Sequence, residues 1–211
     1  MSALVFRGRI SKRMIDAAVE ALTKGELIIY PTDTIYGIGC DMANQKALNK
    51  LNSLKKRPSK KPFSFICDGL GEIAQFAKLS NSAHRVLRQV LPGPYTFILP
   101  VNNNVSRKMV NSEHAVGVRI PNHSVPLEIV KKFGRPITTT SVNTSSEEPV
   151  TSIEDLSPEF LNAVAVIIDQ GELENVPSTI VDFTGDAPII LREGKGIEEL
   201  RPFINFTIEP E

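Results

Sequence analysis

The chain predicts an α/β fold of the mixed α+β kind, a twisted sheet with helices packed against it. Short apolar runs of strand length recur along it: Leu27–Tyr30, Phe63–Cys67, Tyr95–Val101, Ala115–Ile120, Ile137–Ser141 and Val164–Asp169. Between them lie segments whose apolar residues fall three and four apart, the period of a helix with one buried face. Alternation of the two through most of the chain is the pattern of helices layered on a sheet. No internal repeat and no long linker divides the 211 residues, so one domain is expected over 1–211, with its core over 10–197 and a tail over 198–211.

Each element has a local cause. Ser11 can cap a helix that carries Met14, Ile15, Ala18, Val19 and Leu22 on one face and stops at Gly25. The strand Leu27–Tyr30 follows and meets Pro31, which lacks an N–H and cannot continue a central strand with full pairing. Asn44–Lys55 repeats the helical pattern through Ala47, Leu48, Leu51 and Leu54, then runs into a loop punctuated by Pro58 and Pro62. Short helices are expected over Leu70–Ala77 and over Ser82–Val90, the second capped by Ser82 and broken by Leu91-Pro92-Gly93-Pro94. Val125–Phe133 reads as a helix with Gly134 as its stop, and Ser152–Leu161 as another. Ser178–Phe183 and Pro188–Arg192 read as a strand pair across a Gly185-Asp186 turn.

Composition excludes several classes. There are 24 basic and 24 acidic residues, so a basic site has to be local rather than global. No apolar run reaches the roughly 20 residues of a membrane span. The opening Met-Ser-Ala-Leu-Val-Phe-Arg has no signal-peptide core, and Cys40 and Cys67 are distant in sequence. A cytoplasmic location with reduced, packed thiols is the expectation. His84, His114 and His123 show no metal-ligand spacing.

Four polar groupings carry the chemistry. After Leu27–Tyr30 the chain reads Pro31-Thr32-Asp33-Thr34-Ile35-Tyr36-Gly37-Ile38-Gly39, three hydroxyls and one carboxylate followed by alternating glycines that let a ligand or backbone come close. Lys55, Lys56, Arg57, Lys60 and Lys61 place five cations within seven residues. Such crowding suits a polyphosphate, to which Lys offers a point charge and Arg a fork, but also fits a solvated loop or an RNA patch. Thr138 to Ser146 ends a strand in a hydroxyl–amide cluster able to donate to phosphate oxygens and ribose. Arg119 and Arg192 sit on apolar strands, where an unpaired charge is costly and an anionic partner is needed. No Walker pattern, Rossmann fingerprint or nucleophile elbow is present.

Taken in order, Pro31 to Gly39, Lys55-x-Arg57-Pro58, Lys61-Pro62, Pro92-Gly93-Pro94-Tyr95-Thr96, Val118-Arg119-Ile120-Pro121, Ser141-Val142-Asn143, Pro177-Ser178-Thr179-Ile180-Val181-Asp182 and Leu191-Arg192-Glu193-Gly194 resemble the YrdC/Sua5/YciO family. The resemblance implies a YrdC-like domain with a large, open, basic concavity. It implies L-threonylcarbamoyladenylate synthase activity, which uses L-threonine, bicarbonate or CO2 and ATP for the t6A modification of tRNA. Mg2+ would arrive with ATP, and no dedicated metal site is expected. Partners would include tRNA or double-stranded RNA and other t6A-pathway proteins.

Carried over by position, Lys55 and Arg57 are expected as catalytic phosphate ligands, with Ser141, Asn143, Ser178 and Arg192 completing the nucleotide site. Thr34, Tyr36 and Arg119 are expected to hold threonine. Two departures matter. Ile66 stands where longer members read histidine, and the chain is expected to lack the second domain of the longer Sua5 type. The intact Ser141-x-Asn143 motif favours the synthase over a YciO-like paralogue. An RNA-binding module is the alternative of another class, and hydrogenase-maturation carbamoyl transfer is a further one.

Overall fold

The computed structural model describes residues 3–56, 63–102, 114–144 and 147–204. Its strands are β1 (Leu4–Arg7), β2 (Leu27–Tyr30), β3 (Gly37–Asp41), β4 (Ser64–Ile66), β5 (Tyr95–Pro100), β6 (Ala115–Arg119), β7 (Ile137–Ser141), β8 (Val164–Asp169), β9 (Thr179–Asp182) and β10 (Ile189–Arg192). Its helices are α1 (Lys12–Thr23), α2 (Gln45–Leu54), α3 (Leu70–Phe76), α4 (Asn81–Val90), α5 (Ser124–Phe133), α6 (Pro158–Ala163) and α7 (Ile197–Leu200).

All ten strands join one mixed sheet in the order β1-β8-β2-β3-β7-β4-β6-β5-β9-β10. The pairs β1/β8, β2/β8, β4/β6 and β5/β9 are parallel, and the others antiparallel. The expected mixed α/β architecture is present.

Successive side chains of a strand alternate between faces, and β2 uses both. Leu27 and Ile29 pack with Leu48, Leu51 and Leu54 of α2 and Phe160 of α6. Ile28 and Tyr30 pack on the other face with Met14, Ile15 and Leu22 of α1 and Ile129 of α5. A third core joins α3 and α4 to β5 and β6 through Phe76, Leu87, Phe97 and Val118. β2 is therefore buried throughout, which explains its unbroken apolar run.

Caps account for most helix boundaries. The Ser11 side chain accepts from the Met14 N–H, and Gly25 after α1 has φ +75. Asn44 caps α2 through the Lys46 and Ala47 amides. For α4 the cap is Ser80, which accepts from Ala83 N–H, rather than Ser82. The expected helix Ser152–Leu161 is two pieces, a 3-10 turn at Ile153–Asp155 and α6, because Pro158 serves as a first helical residue after Ser157. β1 and α7 were not anticipated: β1 has a largely exposed edge, and α7 is a single turn. No helix among the described residues is long and apolar enough to cross a membrane.

Candidate functional site

A cavity of about 550 Å³ opens over the middle of the sheet, and every described residue named for the site except Thr34 lines it. Arg57, Lys60 and Lys61 lie outside the described residues.

The floor is built by close strand approach. Gly37 of β3 stands opposite Ser141 of β7, and Gly39 opposite Thr139. A Cβ on Gly37 would lie 3.1 Å from the Tyr30 ring, and one on Gly39 would run into the Thr138 carbonyl. The missing side chains let Tyr30 lie across both glycines, where its hydroxyl donates to Thr139 Oγ1 at 2.7 Å. Full burial raises the Tyr30 pKa far above its ordinary value, so it stays a neutral donor. Thr139 continues the row to Ser64 of β4 and Gly117 of β6.

On one side, Lys55 ties the expected nucleotide motifs together. It follows α2, and its ammonium donates to the Ser141 carbonyl at 2.8 Å and to Asn143 Oδ1 at 2.7 Å. Ser141 Oγ donates to the same Asn143 oxygen at 2.5 Å. The cation comes from a helix end and its partners from a strand end 86 and 88 positions away. Lys56 turns outward, 3.6 Å from Glu159.

Opposite, Arg119 at the end of β6 donates through Nη2 to Asp33 Oδ1 and to Thr34 Oγ1, each at 3.1 Å. Burial pulls the Arg119 pKa down while Asp33 holds it up. Arg119 Nε has no hydrogen-bond partner among the described residues. Asp33 is pinned in turn by the Asn122 N–H at 2.8 Å. Thr34 stands behind Arg119, sharing a 3.0 Å hydroxyl contact with Thr32, which does line the cavity.

Tyr36 lines the cavity, but its hydroxyl is already committed. It donates to the Gly171 carbonyl at 2.6 Å and accepts from Gln170 N–H at 3.1 Å, and burial pushes its pKa up to about 12. Asp169 beside it accepts from Arg7 at 3.0 Å and from Gly171 N–H at 2.9 Å.

The third wall is Arg192. A register shift between Ile190 and Arg192 re-aims β10, leaving Leu191 exposed and bringing Arg192 over Ser178. Arg192 Nε donates to Ser178 O at 2.9 Å and Nη2 to Ser178 Oγ at 3.0 Å, and Ser178 Oγ contacts Thr96 Oγ1 at 2.9 Å. These partners are neutral. Burial, then repulsion from Arg119, lowers the Arg192 pKa. Two guanidinium groups line one cavity, and among the described residues only Arg119 has a carboxylate partner, Asp33, which leaves a site for an anion.

Asp33, Thr96 and Thr139 lie in the polar groupings and motifs read from the sequence but were given no individual role in the site, and Ser64 was not singled out. Asp33 was legible as the one carboxylate of its stretch, given a buried arginine that needs an anion. Ser64 carries no signal beyond its hydroxyl and Thr139 none beyond its place in the hydroxyl–amide cluster, since only strand pairing brings the two together at the floor. Ile66, expected from the resemblance to stand where longer members carry histidine, is fully buried in the core with α1 and α5 and stands opposite Arg119 in the sheet. Among the described residues, no three His, Cys, Asp or Glu side chains group as metal ligands.

Comparison with known proteins adds identity to this geometry. The protein YciO of Escherichia coli K12 is 31% identical over 92% of this chain and 94% of its own length. Its crystal structure superposes with a TM-score of 0.87 at 29% identity, covering 95% of this chain and 99% of that one. A threonylcarbamoyl-AMP synthase of Hydrogenovibrio crunogenus is 37% identical over 79% of this chain and 91% of its own. Pyrococcus abyssi Sua5 complexed with L-threonine gives a TM-score of 0.86 at 29% identity, over 97% of this chain but 62% of that one. The Sua5/YciO/YrdC family model, described as telomere recombination, matches residues 20–194. The chain belongs to the Sua5/YciO/YrdC family.

Proposed function

We propose that this protein is an L-threonylcarbamoyladenylate synthase supplying the t6A modification of tRNA. The observation that carries the reading is one cavity lined by two anchored cations: Lys55 held on Ser141 and Asn143, and Arg119 held on Asp33. Relatives named for this synthase, and a Sua5 structure containing L-threonine, support it.

In this reading Arg119 takes the threonine carboxylate, and Tyr36 shapes the pocket rather than donating its committed hydroxyl. Lys55, Arg57 and Arg192 face the polyphosphate, with Ser141, Asn143 and Ser178 as neutral donors and acceptors. The threonine amine adds to CO2 and loses a proton, giving a carbamate. A carbamate oxygen then bonds to the α-phosphorus of ATP, the bond to the bridging oxygen breaks, and pyrophosphate leaves. Positioning and charge stabilisation dominate such a transfer. Mg2+ arriving with ATP supplies further neutralisation of phosphate charge.

Incubation with L-threonine, bicarbonate, Mg2+ and ATP is expected to release pyrophosphate. Release no greater than in a threonine-free control removes the reading. A YciO-like role is favoured by two observations, the buried Ile66 where the family resemblance expects a histidine in longer members, and the near-complete overlap with YciO. That role predicts no threonine-dependent release of pyrophosphate.

A further inference from the structure

Glu147 and Glu148 belong to no motif, yet both line the cavity beside Asn143. Their segment is tied down. Asn143 Nδ2 donates to the Glu147 carbonyl at 2.5 Å, and Val150 N–H donates to Val142 O at 3.1 Å. Glu147 Oε2 also accepts from the Thr144 N–H at 3.4 Å. The amide expected to touch nucleotide thus holds the backbone of this segment at its own end of the site. Neither forms an ion pair with a described residue.

An independent feature of the same cavity asks for an anion. Arg119 is only 9% exposed and keeps Nε without a hydrogen-bond partner among the described residues. Among the described residues, Arg192 has only neutral partners. With Arg119 taken by a carboxylate, the cavity attracts a polyanion at Lys55 and Arg192 and repels it at Glu147 and Glu148. A free polyphosphate meets both effects. One carrying a divalent cation satisfies both, because the cation offsets charge on the phosphate oxygens and is itself attracted to the carboxylates.

Resting on the nucleotide reading above, we propose that Glu147 and Glu148 are specificity-determining residues. They make the cavity select a metal-complexed polyphosphate over the free polyanion. The alternative is that the two are ordinary solvated glutamates whose charge is screened before it reaches a ligand.

Calorimetric titration of ATP separates the two. The wild type and the double variant Glu147→Gln/Glu148→Gln are each titrated in Mg2+ and in EDTA at matched ionic strength. Glutamine keeps the acceptor oxygen used by Thr144, so the segment stays in place. Wild-type affinity is expected to fall about tenfold or more without Mg2+, and the double variant to narrow that gap to about threefold by gaining affinity for free ATP. The same Mg2+/EDTA ratio in both proteins overturns the proposal while leaving nucleotide binding intact. So does an equal narrowing by Glu128→Gln/Glu154→Gln, which removes two carboxylates outside the cavity and would show a general charge effect. No ATP binding by the wild type in either buffer overturns the nucleotide reading and this one together.

Discussion

Arg119 and Asp33, 86 positions apart, form a 3.1 Å ion pair whose side chains are 11% and 10% exposed. Asp33→Ala leaves a buried guanidinium without its counter-charge and strips Asn122 N–H of its acceptor. Breaking a buried pair by removing one partner costs about 3–5 kcal/mol. Denaturant unfolding is expected to show a loss of that order. A change under about 1 kcal/mol would mean that water or another group neutralises Arg119.

Lys56 and Arg57 are neighbours with opposite expected consequences. Lys56 points outward to Glu159, in a contact exposed on both sides. Lys56→Ala should leave pyrophosphate release nearly unchanged. Arg57→Lys keeps the charge but loses the planar fork. Activity is expected to fall about ten- to hundred-fold, the equivalent of one charge-assisted hydrogen bond of roughly 1.5–3 kcal/mol. Equal, mild effects from both would mean that the loop acts as a diffuse patch.

Gly39 lies where Tyr30 and Thr138 close in. Gly39→Ala forces a methyl group against the Thr138 carbonyl, and overpacking of this kind costs about 1–3 kcal/mol. Gly71, inside α3 with open space where a Cβ would stand, is the contrasting site. Gly71→Ala should stabilise by roughly 0.5–1 kcal/mol through helix propensity. Urea midpoints for the two variants should move in opposite directions.

His123 caps α5 by accepting the Val125 N–H on Nδ1. Burial lowers its pKa below the ordinary 6.5, with Asp33 and Gln170 opposing. A lowered pKa means that the unfolded chain binds the proton more readily, so stability rises with pH through this window. The contribution is complete above about pH 6.5 and is lost as pH falls toward the depressed value. His123→Asn keeps a capping acceptor and removes the titration. Thermal unfolding of the variant should show a flatter pH dependence between about pH 5 and 6.5. An unchanged slope would place the sensitivity in other groups.

Local chemistry settled much of this protein before any tertiary contact. Ser11 with Gly25, Asn44, and Gly134 delimit helices because caps and left-handed stops act within one turn of chain. The apolar runs of β2 and β8 announce strands buried on both faces, and the polar groupings around Thr34, Lys55, Ser141 and Arg192 announce a site. What local chemistry could not supply was pairing. Strand order decides that Gly37 meets Ser141 and that Thr139 meets Ser64, and those partners are distant in sequence. β1 escaped notice because an exposed edge strand of four residues has no buried alternation to detect. Ser80 won the α4 cap from Ser82, an equally suitable hydroxyl two residues on, because its own extended backbone sets the Oγ on the Ala83 N–H. The sequence by itself determined which residues carry hydroxyl, amide and charge, and so the kind of ligand that suits them. Only the tertiary structure decided that Asp33 neutralises Arg119, that Arg192 finds only neutral partners among the described residues, and that Glu147 and Glu148 share their cavity. Side-chain electrostatics depend on through-space distance, which the order of residues along the chain does not contain.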